Sequence, residues 1–307
     1  MHRKTRHIGL LIAGLLSLAM TACTLRIPDG NAPDVPLVFD PVMYIPAKAT
    51  ALNGEYPADV DFSVSVWDYA QGEAISAAKP LLSRAQIRRN AAGIWAPEPA
   101  VLWPAKDRRI LALAASPHGS EASISTTDGI YFSGVDTAVD QTDLLYTAPQ
   151  AGLSRTSGGV VNLPFRHALC LVDFSLRCNA GTGETATLLS VTLDPVICRG
   201  DFHSLPEPEW TTAGTPVEIT FFQGEQEISH NNTPAGASRW TIPQRLTTAH
   251  ITVKIRHKDA DGKETEHTLT SSDIRFLLES GRHYTFTLSC LLDTETLKID
   301  IIDNLIS

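Results

Sequence analysis

Apolar and polar positions along this chain recur with a period of two. In residues 160–178 (VVNLPFRHALCLVDFSLRC), Val161, Leu163, Phe165 and His167 alternate in one phase. Ala168, Cys170, Val172, Phe174 and Leu176 alternate in the opposite phase. Successive side chains of a strand leave on opposite faces, so such alternation predicts half-buried strand. The change of phase predicts a bulge or bend near His167. Pro164 has no N–H to donate and predicts an irregular or edge position. Ser157-Gly158-Gly159 precedes the run as a flexible break. We read Gly158-Gly159 as a domain boundary and the run from Val160 as the opening strand of a second domain.

Similar runs recur in both halves. Residues 37–45 form the first, interrupted by Pro41, and Lys48-Ala49-Thr50 with Asn53-Gly54 then predict a loop. Residues 61–69 follow, with Phe62, Val64 and Val66 inward, then 109–115, 129–132 and 142–147. Later runs are 188–193, 217–222, 250–257 and 283–291, and Leu297, Ile299 and Ile301 form a last one. Asp259-Ala260-Asp261-Gly262, between 250–257 and 263–270, predicts a hairpin turn. Helical patterns are scarce. Residues 83–90 (SRAQIRRN) are the best candidate, for one or two turns. Many short alternating runs with Gly, Pro, Asn and Asp between them predict an all-β sandwich or barrel.

The N-terminus has a different logic. His2, Arg3, Lys4, Arg6 and His7 are followed by an apolar stretch, 8–20, too short to span a bilayer comfortably. Met20-Thr21-Ala22-Cys23 then resembles a bacterial lipobox, where the leader (1–22) is cut off and the Cys23 thiol carries the lipid. The alternative is an ordinary secretory signal with an incidental cysteine. Residues 23–36, rich in Pro, Asp and Gly, read as a flexible tether. The remaining chain is long enough for two domains, read here as 37–157 and 158–307. The formal charge is −9, and losing Arg3, Lys4 and Arg6 with the leader takes it to −12. That acidity argues against nucleic acid and anionic lipid as partners.

No stretch carries catalytic chemistry. There is no nucleophile elbow, phosphate loop or dinucleotide fingerprint, so we expect a non-enzyme with no catalytic residue, metal or cofactor. Cys170, Cys178, Cys198 and Cys290 lack zinc-site spacing and read as small buried hydrophobes or as one disulfide with an undetermined pairing. Cys170 and Cys178 share one face of one strand and cannot pair unless that strand turns. His167 reads as a hydrogen-bonded structural histidine. Asp259-x-Asp261-Gly262 mimics the start of a calcium loop without its remaining ligands. Trp67, Trp95, Trp103, Trp210 and Trp240, spread over both halves, read as core rather than as a glycan platform.

Several short motifs together resemble the fimbrillin (Mfa-like, type V pilin) family of Bacteroidota. They are Trp103-Pro104 followed by the 109–115 run and Ser116-Pro117; Asp143-Leu144-Leu145; Phe165-x-His167-Ala168-Leu169; Ile242-Pro243-Gln244; and Gly281-x-x-Tyr284. The resemblance implies two transthyretin-like β-sandwich domains in tandem. It implies export as a lipoprotein to the outer-membrane surface and assembly with other subunits into adhesive fimbriae. In that family a protease removes the lipidated N-terminus with the first strand, and a donor strand from a neighbouring subunit fills the groove. On this chain the removed strand would be 37–45. Arg26 precedes it and Lys48 follows it as the candidate cleavage positions. The donor would present Leu297, Ile299 and Ile301, with Lys298 and Asp300 opposite. Asp136-Thr137-Ala138 matches the O-glycosylation pattern of these bacteria, which makes Thr137 a candidate. The rival is a surface lipoprotein that binds a glycan or host ligand and never polymerises; it should expose coplanar aromatics on one face.

Overall fold

The chain changes sheets at Ala168-Leu169. Val160–His167 buries Val161, Leu163, Phe165 and His167, whereas Cys170–Cys178 buries Cys170, Val172, Phe174, Leu176 and Cys178. Each phase of the sequence pattern is therefore a separate strand. The bend is pinned by backbone and side-chain donors. Ala168 N–H donates to Leu144 O at 2.8 Å, and Gly281 N–H donates to Leu169 O at 2.9 Å. Trp210 Nε1–H and the Ser280 hydroxyl both donate to Ala168 O, at 2.8 and 3.0 Å. A buried bend must satisfy its polar backbone in this way.

The computed structural model describes residues 34–45, 52–155 and 159–306. They form an all-β architecture of four sheets. The nine-stranded sheet runs Gln150–Leu153, Arg108–Ser116, Phe62–Ala70, Lys79–Arg89, Trp95–Pro97, Val38–Ile45, Val160–His167 and Leu145–Thr147, with Leu52–Glu55 paired to Val38–Ile45. Leu145–Thr147 also pairs with Arg108–Ser116, so the sheet closes on itself around its own apolar cluster. Tyr56, Phe62, Trp95 and Phe165 form the aromatic centre, with ring centroids 5.0–5.6 Å apart.

Two five-stranded sheets enclose a second core. One runs Thr233–Pro234, Cys170–Cys178, Arg282–Leu291 and Thr296–Leu305, with Arg239–Thr241 also on Cys170–Cys178. The other runs Val217–Ile228, Thr185–Val196, Arg245–Lys258 and Glu264–Thr270, with Ile274–Leu277 off Arg245–Lys258. A four-stranded sheet joins Gly129–Asp136 to Arg199–His203, flanked by Ser123–Ser125 and Glu209–Ala213. Its apolar residues meet the nine-stranded sheet through Leu113, Ala115, Phe132, Tyr146 and Phe202.

Three local expectations change. Val160–His167 pairs in parallel with Val38–Ile45 and antiparallel with Leu145–Thr147, so this strand completes the N-terminal sheet instead of opening the C-terminal half. Leu52–Glu55, which contains Asn53-Gly54, is a strand rather than a loop, because Val38–Ile45 offers it a ladder. Residues 83–90 are not helical: most lie in the strand Lys79–Arg89, between Phe62–Ala70 and Trp95–Pro97. Arg84 has φ +48° and its N–H donates to Ser65 Oγ at 2.9 Å, where the register shifts. That bulge breaks the alternation and hides the strand in the sequence.

Two measurements check this packing. Phe39 is 4 % exposed and meets Phe62 edge-on, so Phe39→Ala should lower unfolding free energy in urea by about 3–5 kcal/mol. Burial pushes the Tyr284 phenol from its ordinary 10.0 up to about 12, partly offset by Glu279 N–H donating to its oxygen. A folded pKa above the unfolded one contributes stability that is complete below pH 10.0 and declines as pH rises toward 12. Urea midpoints taken on either side of pH 10.0 should fall with pH, and Tyr284→Phe should flatten that fall.

Candidate functional site

Val38–Ile45 lies inside the closed sheet and not on its rim. Leu37, Phe39, Pro41 and Met43 face the core, and Asp40 faces solvent. The ladder to Val160–His167 spans Val38↔Val160 to Met43↔Phe165. On the other side Phe39 pairs with Trp95, and Val42–Ile45 form a hairpin with Leu52–Glu55. Leu37 N–H donates to Val101 O at 2.7 Å just before the strand begins. A groove of about 810 Å³ runs beside it, rimmed by Tyr56, Arg89, Ile94, Trp95 and Val160. Ile94 and Val160 are each 47 % exposed there.

Burying Leu37, Phe39 and Met43 is worth about 1.5–3 kcal/mol each, or roughly 5–9 kcal/mol together. A whole domain is stable by only about 5–15 kcal/mol. A bed emptied of this strand could not persist in water, and it would accept another strand whose alternate side chains are apolar.

The last strand, Thr296–Leu305, has the complementary character. It pairs with Arg282–Leu291 from Arg282↔Leu305 to Leu291↔Thr296, at one edge of its sheet. Leu297 is buried, and Ile299 and Ile301 pack half-buried on the core, while Lys298 and Asp300 face solvent. The alternation read from the sequence is therefore present, with the segment seated in its own sheet. Ile302 is 50 % exposed on the other face. The two ends of the fold approach each other: Tyr44 and Ile306 line one cavity of about 290 Å³ with Tyr146, Arg166 and His167. Arg166 stacks its guanidinium 4.3 Å from the Tyr44 ring centroid.

The remaining sequence candidates fall elsewhere. Cys23, Arg26 and Lys48 lie outside the described residues; the 46–51 segment that contains Lys48 connects Val38–Ile45 to its hairpin partner. Thr137 is 3 % exposed and its hydroxyl donates to Cys198 O at 3.3 Å, so in the folded chain a sugar could not sit there without displacing this packing. Trp95 and Trp103 are buried, and Trp67, Trp210 and Trp240 pack half-buried against the cluster of Leu113, Ala115, Phe132, Tyr146 and Phe202. The Asp259 carboxylate accepts from Asp261 N–H and Lys263 N–H at 3.0 and 2.9 Å, which makes that motif a hairpin turn. His167 Nδ1–H donates to Asp143 Oδ1 at 2.9 Å, and the ring stacks on Trp240. Among the described residues, no group of His, Cys, Asp and Glu is arranged to hold a metal ion.

Sequence reading missed one joint. The Gln244 amide donates to Ile197 O at 2.8 Å and to Ile242 O at 3.0 Å, and accepts from Ile197 N–H at 2.9 Å. It fixes the chain before Arg245–Lys258 to the end of Thr185–Val196. Only its place in the Ile242-Pro243-Gln244 motif pointed to it.

Comparison with known proteins agrees with this architecture. The fold is similar to a fimbrial protein from Bacteroides vulgatus, with a TM-score of 0.67, 13 % identity, and coverage of 88 % of this chain and 99 % of that one. It is also similar to a proposed cell adhesion protein from Bacteroides ovatus, with a TM-score of 0.58, 14 % identity, and coverage of 90 % and 100 %. A proposed cell adhesion protein from Bacteroides uniformis matches at 0.57 and 13 % identity, with coverage of 88 % and 97 %. No curated protein sequence matches the chain significantly. The model of the fimbrillin-like family matches residues 48–301, which is most of the chain and begins just after the strand Val38–Ile45, and the chain therefore belongs to the fimbrillin-like family.

Proposed function

We propose that this chain is a non-enzymatic fimbrial subunit (stalk, anchor or accessory), exported as a lipoprotein on Cys23 to the outer-membrane surface and assembled by donor-strand addition. The observation that carries the reading is the seat of Val38–Ile45. An N-terminal segment with Leu37, Phe39 and Met43 in the core is joined to the rest by one hairpin connection. Cleavage after Lys48 cuts that connection and frees the strand. Cleavage after Arg26 releases the lipid and leaves the groove filled. The segment with Leu297, Ile299 and Ile301 is the donor, because an edge strand held by one neighbour detaches at the least cost in hydrogen bonds. Its i, i+2, i+4 apolar spacing matches that of Phe39, Pro41 and Met43 in the strand it replaces.

Within this reading the two transthyretin-like domains divide along the two main cores. Val160–His167 and the Arg199–His203 hairpin serve the N-terminal domain although they follow Gly158-Gly159. The partners are other subunits, the outer membrane through the lipid, and a host or bacterial surface ligand for adhesion. The half-buried tryptophans give no support to the glycan-binding rival.

The decisive test is the N-terminus of protein taken from its native cell surface, by intact mass and terminal peptide mapping. The stalk reading expects a new terminus at Ala49; a lipidated Cys23 sinks it and leaves an anchor or accessory subunit or the non-polymerising rival. A second test uses protein cut after Lys48. It should form ladders of multimers on a gel without boiling, and Ile299→Asp should abolish them while leaving monomer secretion intact. Unaltered ladders would overturn the donor assignment.

A further inference from the structure

Cys178 and Cys290 stand opposite each other on neighbouring parallel strands. The register of Cys170–Cys178 against Arg282–Leu291 runs from Leu171↔His283 to Cys178↔Cys290. Both side chains leave on the buried face, 2 % and 0 % exposed, and belong to the same core cluster. Both also line one cavity of about 260 Å³, beside Asn179 and His230. Neighbouring strands lie about 4.7–4.9 Å apart, inside the Cα spacing of about 4.4–6.8 Å that a disulfide requires.

The position along the ladder matters as much as the spacing. Cys178 is the last residue of its strand, and the next residue, Asn179, donates its N–H to Cys290 O at 3.2 Å. At a ladder end two strands can pinch together without disturbing pairs on both sides. The other two thiols are engaged elsewhere. Cys170 Sγ–H donates to Thr241 O at 3.2 Å, and Cys198 Sγ–H donates to Val196 O at 3.9 Å. All four are free thiols in this structure.

We propose that Cys178 and Cys290 are joined in a disulfide as the chain folds in an oxidising compartment. One cysteine thiolate attacks the disulfide of a small-molecule or protein oxidant, forming a mixed disulfide and releasing one thiol. The second cysteine thiolate then displaces the other half. The two protons lost by the cysteines end on the two thiols of the reduced oxidant. Exchange precedes burial, because the folded core pushes the Cys290 thiol up to about 12 and leaves almost no thiolate. The bond staples Arg282–Leu291 on the side away from Thr296–Leu305. That consequence rests on the donor-strand reading: the last strand then detaches from a neighbour that stays fixed.

The test is to refold the full chain from denaturant in a glutathione redox buffer, alkylate under denaturing conditions and map the peptides by mass. The expected result is a chain lighter by two hydrogens, one peptide pair linking Cys178 to Cys290, and alkyl groups on Cys23, Cys170 and Cys198. Cys170→Ser should keep the link, and Cys178→Ser should lose it without creating another. Five alkylated cysteines, or a link that uses Cys23, Cys170 or Cys198, would overturn the proposal. The assay needs neither export nor assembly, so its failure is distinct from failure of the fimbrial reading.

Discussion

The N-terminal sheet depends on the burial of one strand near the chain's start. Val38–Ile45 bridges Trp95–Pro97 and Val160–His167, and without it the closed path of the sheet is open between them. Phe39 and Met43 of this strand, with Leu37 just before it, join a core built around Phe62, Trp95 and Phe165. Hydrogen-bond pairing and apolar burial thus fall on one segment tied to the rest by a single hairpin connection. A protein that placed its most replaceable strand on a rim would lose little on removing it. Here the loss is of the same order as a domain's whole stability.

The rest of the molecule holds that sheet in place through joints where backbones cross. Asp143 and His167 tie the entry of Leu145–Thr147 to the end of Val160–His167. The Ala168 carbonyl collects donors from Trp210 and Ser280, and Gly281 reaches Leu169. Gly281 adopts φ +73°, a conformation that glycine adopts at little cost. Trp103 Nε1–H donates to Gly159 O at 2.9 Å, next to the break that precedes Val160–His167. Trp103, Asp143, His167, Ala168, Leu169 and Gly281 of the family-like motifs sit at these joints. Their role is to satisfy buried polar groups where strands change sheets, so the motifs are short and scattered and carry no reactive chemistry.

How much was legible in the sequence varies with locality. The alternation of Phe62, Val64 and Val66, of Ile251, Val253 and Ile255, and of Tyr284, Phe286 and Leu288 maps directly onto buried strand faces. Lys79–Arg89 was not legible, because the bulge at Arg84 interrupts its period and its partners lie on either side only in the folded sheet. Leu52–Glu55 was hidden by Asn53-Gly54, whose turn preference is overridden by an open ladder on Val38–Ile45. The candidate groove was legible in part: the apolar face of 37–45 is visible in the sequence, but its neighbours, Trp95–Pro97 and Val160–His167, are distant in the chain.

The sequence by itself determined the all-β class, the faces of the strongest strands, the change of phase near His167 and the absence of familiar catalytic motifs. Each depends on side-chain periodicity or on local residue chemistry, which a strand carries wherever it lies. Only the tertiary structure decided that Val160–His167 belongs with Val38–Ile45, that Thr137 is buried and that Cys178 stands beside Cys290. Those facts depend on pairing and register between segments far apart in the chain. A strand's pattern shows which face is apolar, but any strand with a matching face satisfies it, and the choice is made by the closure of the sheet and the packing of the core.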